Sequence, residues 1–159
     1  MAVIALNGLR RVAFCLLLTG WPAPMRADQR SDVQAVLSRV ASALSAGDPA
    51  DAIAQFTKTY AQSEQLREYF TGLTNAYSIA NEVDVTEEQD MTSESLVTIH
   101  WTLSLSDSQG GNSNRRSGEI QARLIREKTK WLIAEFSPIH LFDPAEALES
   151  SPEHPPASE

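Results

Sequence analysis

Apolar positions recur at helical spacing in the first half of this chain and alternate in the second half. Val33, Val36, Leu37, Val40, Ala41 and Leu44 fall on one face of a helix over Ser31–Ala46, the spacing of an amphipathic helix on a core. Ser31 and Gln34 have capping-box spacing at its start. Gly47 suits the left-handed residue that ends a helix. Asp48 reads as the next N-cap, with Pro49 at the first helical position and Asp51 in the first turn. That second helix carries Ala52, Ile53 and Phe56. Ser63 is placed to cap a third helix bearing Leu66, Tyr69, Phe70 and Leu73, with Gly72 near its end.

From about Ala76 the period becomes two. Ile79, Val83 and Val85 predict a first strand, and Glu87–Ser95 reads as a polar turn. Val97, Ile99, Trp101, Leu103 and Leu105 alternate with Thr98, His100, Thr102 and Ser104 in a second strand. Asp107–Asn114 is a hairpin loop rich in glycine, serine and asparagine. A third strand over Ser117–Arg126 places Ile120, Ala122 and Leu124 on one face. The polar turn Glu127–Lys130 leads to a fourth strand, Trp131–Ser137, apolar on both faces and so expected to be central or covered. Leu132, Ala134 and Phe136 form its second apolar face. Helices followed by an antiparallel meander predict an α+β domain, with N-terminal helices packed on a curved antiparallel sheet.

The ends of the chain differ from this body. Arg10 and Arg11 precede an apolar run, Val12–Trp21, and Ala27 suits the last residue before a cleavage site. This is the order of a secretory signal peptide over residues 1–27. The run is about half of the roughly 20 residues that span a bilayer, so a stable membrane anchor is not expected. Cys15 lies inside the run, after Phe14 rather than a small residue. Its removal would leave a mature chain with no thiol and no disulfide, which suits a bacterial periplasm or the exterior. No Asn-x-Ser/Thr site is present, in keeping with that setting. The expected domain is 28–145, and the proline-, serine- and glutamate-rich stretch 146–159 reads as a disordered tail.

Charge narrows the partners. The sequence has a net charge of −8, and loss of Arg10, Arg11 and Arg26 would leave 10 basic against 21 acidic residues, a net −11. Nucleic acid and anionic membrane surfaces are therefore not expected partners. Six of those ten basic residues, Arg115, Arg116, Arg123, Arg126, Lys128 and Lys130, fall in one hairpin and read first as solvated strand faces.

The element order over Ser31–Phe142, ending in the hairpin ARLIREKTKWLIAEFSPIHLF, resembles the nuclear transport factor 2-like superfamily. That superfamily, with its SnoaL-like and ketosteroid isomerase-like members, also holds scytalone dehydratases and polyketide cyclases. The resemblance implies a cone with an apolar pocket between sheet and helices. It does not imply an activity, because the fold serves both enzymes and non-catalytic modules. Phe56, Tyr69, Ile99, Trp101, Leu103, Leu124 and Trp131 are the residues expected to line such a pocket. For Trp101 and Trp131 plain core packing is the first expectation.

Catalytic candidates are His100, Asp84 and Tyr77. His100 opposes the apolar stripe of its strand, so it is expected on the other side of the sheet, where a half-exposed histidine among threonines is the plainer reading. Asp84 and Glu135 would face a pocket only if the strand register slips by one. The tyrosine–acid constellation of the steroid isomerases cannot be placed on these strands, so none is carried over. The acidic run Glu82, Asp84, Glu87, Glu88, Asp90 and Glu94 has no glycine-bearing calcium-loop spacing and reads as a solvated turn. No phosphate loop, HExxH or GxSxG is present, and His140 and His154 lie too far apart to suggest a metal. No metal and no cofactor are expected. The sequence favours an exported non-catalytic domain that binds a small apolar ligand or forms a homodimer through its sheet. The alternatives are an isomerase or dehydratase using the cone and a cell-envelope adaptor.

Overall fold

The computed structural model describes residues 25–107 and 113–146. Most of the expected signal, Cys15, the centre of the 107–114 loop and the tail beyond residue 146 lie outside them. Three helices, α1 (Met25–Ser45), α2 (Pro49–Ile53) and α3 (Ser63–Ala76), precede four strands, β1 (Tyr77–Asp90), β2 (Glu94–Asp107), β3 (Ser113–Glu127) and β4 (Lys130–Ser137). The strands form one antiparallel sheet in the order β1-β2-β3-β4. A 3-10 turn, His140–Phe142, follows β4. No helix of the described residues is long and apolar enough to cross a membrane.

The helix α1 buries Val33, Val36, Leu37, Val40, Ala43 and Leu44 against the sheet. It begins at Met25, so Ser31 is a helical residue rather than a cap. Contacts remote in sequence hold this extra length. Gln29 Nε2 donates to the carbonyl of Met91 at 2.9 Å, and Arg30 Nε donates to Glu88 Oε2 at 2.6 Å. Gly47 takes φ +74°, the left-handed conformation that glycine adopts without a Cβ clash. Asp48 then caps α2, its carboxylate accepting from the Asp51 N–H at 2.9 Å ahead of Pro49 at the helix start. That helix stops at Ile53, and Phe56 instead forms a parallel bridge with Ile133. The N-cap of α3 is Gln62, without a side-chain bond, so Ser63 is not the cap.

The sheet differs from the alternation pattern at two bulges. At Thr86 an extra residue enters β1, and the strand continues through the expected turn to Asp90. The true turn is Met91–Ser93. A second irregularity falls at Ala134, where Arg123 pairs with Glu135 but Leu124 pairs with Ile133. One inserted residue exchanges the faces of everything after it. Phe136 therefore points into the core at 1% exposure and is not part of a second apolar face with Leu132 and Ala134. The edge of β4, last in the sheet, is covered by the chain after α2. The Thr57 N–H donates to the Ile133 carbonyl, and the Ile133 N–H donates to the Gln55 carbonyl, each at 2.9 Å.

Tyr60 ties this covering segment to the strand, its hydroxyl donating to the Phe136 carbonyl at 2.7 Å. Burial pushes its phenol from 10.0 up to about 12. The neutral phenol is favoured in the folded state, so its contribution to stability is complete below pH 10.0 and is lost as pH rises through about 12. We expect the melting temperature of the native chain to fall more steeply than that of Tyr60→Phe between pH about 9 and about 11.5. Parallel slopes in the two melts would refute this coupling.

Candidate functional site

The inner face of the sheet is packed with side chains. Trp101, Phe136 and Phe142 contact one another with ring centroids 5.4–6.0 Å apart, and Phe70 meets Phe142 edge-on at 5.2 Å. Edge-to-face aromatic pairs of this kind add to the stabilisation from area burial alone. Of the residues expected to line a pocket, Phe56, Ile99, Trp101, Leu103, Leu124 and Trp131 are members of this buried core. Tyr69 is half-buried against it, its hydroxyl accepting from Gln65 Nε2 at 2.9 Å.

Polar groups enter this interior at few points. Trp101 Nε1 donates to Asn81 Oδ1 at 3.0 Å, and Asn81 Nδ2 donates onward to the Ala41 carbonyl and to Ser45 Oγ, each at 3.0 Å. This chain of bonds fixes the end of α1 to the sheet. Arg116 is also buried, at 9% exposure, and is not one of the solvated strand charges it was expected to be. Its Nη1 donates to the Asp143 carbonyl at 2.8 Å, while Nε and Nη2 have no partner. Burial lowers its pKa, and the charges of Glu146, Tyr77 and Asp143 oppose that shift. The sequence carried the signal, because Arg116 shares strand parity with Ile120, Ala122 and Leu124.

The three catalytic candidates do not converge. Asp84 pairs with His100 across β1 and β2, and His100 pairs with Glu119 across β2 and β3. All three are exposed, in one row on the outer face. Tyr77 lies seven residues from Asp84, about 23 Å along a strand at ~3.3 Å per residue, and the odd spacing puts it on the opposite face. Glu135 is exposed and accepts from Arg123 Nη2 at 2.7 Å. Asp84 and His100 are thus exposed neighbours on the outer face, and Tyr77 lies on the inner one, so the three do not share one enclosed site.

The outer face instead holds an open groove of about 190 Å³ that runs over all four strands, with Glu87, Leu96, Thr98, Gln121, Arg123 and Glu135 among its lining. Leu96 is 38% exposed there. Arg123 in its lining is paired with Glu135 at 2.7 Å and Glu94 at 3.5 Å, and further along the sheet Arg115 pairs with Glu82 at 3.2 Å. Paired charges cost less to remove from water than lone ones.

This order of elements on one sheet is shared by solved structures. A conserved protein from Planctomyces limnophilus superposes with a TM-score of 0.65 at 13% identity, covering 71% of this chain and 96% of its own. A ketosteroid isomerase-like protein from Erwinia carotovora gives 0.56 at 14%, covering 68% and 96%. A nuclear transport factor 2-like superfamily protein from Salmonella enterica gives 0.55 at 13%, covering 70% and 92%. The chain has the nuclear transport factor 2-like fold. No family model and no curated protein sequence matches it. At such identities the nuclear transport factor 2-like likeness is one of fold, and activity has to be argued from the residues.

Proposed function

We propose that the chain is an exported, non-catalytic module of the nuclear transport factor 2-like fold that forms a homodimer through the outer face of its sheet. The observation that carries this reading is the groove over β1–β4, with half-exposed Leu96 close to the Arg123–Glu135 ion pair. Area supports it as well. The 14 residues of β2 span about 46 Å, and four strands about 4.8 Å apart give a face on the order of 800 Å². A standard interface uses about 800 Å² per partner. Export to a periplasm or the exterior rests on Arg10, Arg11 and the apolar run after them.

Three other readings have less support. A small apolar ligand would have to enter a core already occupied by Phe136 and Phe142. An isomerase or dehydratase would want an inward carboxylate free to take a proton. Glu88 is a buried carboxylate on that face, and its Oε2 is already engaged by Arg30 Nε at 2.6 Å. A cell-envelope adaptor would use the same outer face for a different partner.

Sedimentation equilibrium on the chain from Asp28 onward should show a dimer. Leu96→Glu places a carboxylate beside Glu87 and Glu135 in the groove, and should weaken that dimer roughly tenfold or more. A native chain that stays monomeric at high concentration would remove the dimer reading and leave the adaptor.

A further inference from the structure

Between α1 and β1 lies a second cleft, of about 270 Å³, which shares no lining residue with the groove on the outer face. Val33, Val83 and Val85 supply its apolar wall, and Arg30 and Glu88 lie at its polar end. The bulge at Thr86 creates this end, because without the extra residue Glu88 would point outward. As it stands, the Glu88 side chain is only 2% exposed. Its Oε2 accepts from Arg30 Nε at 2.6 Å, and its Oε1 is buried with no partner. A carboxylate oxygen left in that state costs far more than one that is hydrogen-bonded.

The surroundings decide what could complete it. Arg30 feels two carboxylates, Glu88 and Asp90, so the polar end carries more negative than positive charge. Its own side chain is 71% exposed and can swing aside to admit a second donor. β1 pairs only with β2, so its other edge is free. At least one of Val83, Asp84 and Val85 turns its carbonyl toward that edge, since backbone groups alternate along a strand. The complement is a compact cation with several N–H donors, and a primary ammonium has three. A metal ion fits less well, because among the described residues no three His, Cys, Asp or Glu side chains converge on one point. The volume equals roughly nine waters at about 30 Å³ each, room for a short alkyl chain along the valines. The acidic chain, −8 over the full sequence, would also attract a cation.

We propose that this cleft binds a small primary ammonium compound, its head on Glu88 Oε1 and an edge carbonyl of β1, and its apolar chain against Val33, Val83 and Val85. The test is a titration of the full chain with n-butylammonium chloride at constant ionic strength, followed by the NMR signals of the valine methyl groups. Saturable shifts at Val33, Val83 and Val85 are expected, with a response to n-butanol weaker by roughly tenfold or more. Glu88→Gln should abolish the saturable response. Should that variant fail to fold, Val83→Phe fills the cleft without touching the carboxylate and should abolish it too. Equal responses to butanol and butylammonium, shifts that track sodium chloride alone, or undiminished binding in a folded variant would each overturn the proposal.

Discussion

Replacing Trp101 with alanine is expected to cost about 3–5 kcal/mol, the largest loss of any single truncation on the sheet. The side chain is fully buried, and its ring meets Phe136 at 6.0 Å and Phe142 at 5.4 Å, both nearly edge-on. Truncation removes those contacts and leaves a cavity in a close-packed interior. It also removes the donor to Asn81 Oδ1. Asn81 is the residue that fastens the Ala41 carbonyl and Ser45, so the end of α1 should loosen as well. Small domains have about 5–15 kcal/mol of stability in total, so the alanine variant should unfold at far lower urea. Trp101→Phe separates the two effects. It keeps most of the ring contact and loses the N–H, and should cost about 1–3 kcal/mol through the unsatisfied asparagine. Urea melts that place the alanine variant within about 1 kcal/mol of native would contradict this account of the core.

The parts of the fold that could be read from the sequence are those set by near neighbours. The face of α1 that meets the sheet, the Gly47 stop, the Asp48–Pro49 start and the alternation of β2 each depend on residues within a turn or two. The outward position of His100 follows from the same alternation. What could not be read depends on distant partners. The last residues of β1, 87–90, are polar and resemble a turn, but Gln29 and Arg30, some 60 positions earlier, hold Asp90 and Glu88 in place. That also makes Glu88 an exception to the solvated acidic run. The two bulges have no glycine to announce them, yet they decide which way Glu88 and Phe136 point. Both clefts are built from residues whose relation is created by these irregularities or by strand pairing.

Phe142 carries the second large prediction, and it bears on function. It comes after the last strand, at the end of the His140–Phe142 turn, and is fully buried against Phe70, Trp101 and Phe136 at 5.2, 5.4 and 5.8 Å. The chain thus closes its own inner face with an aromatic ring. Phe142→Ala should cost about 3–5 kcal/mol. The space left is walled by aromatic and aliphatic groups, and such a cavity stays dry and accepts benzene. Benzene should therefore raise the melting temperature of Phe142→Ala while leaving the native chain unchanged, since only the variant has a site to fill. If the alanine variant is too unstable to purify, Phe142→Leu opens a smaller space and should show a smaller gain. Stabilisation of the native chain by benzene to the same degree would mean that the interior admits a ligand with Phe142 in place. The inner cone, rather than the outer face of the sheet, would then be the place to look for what this protein binds.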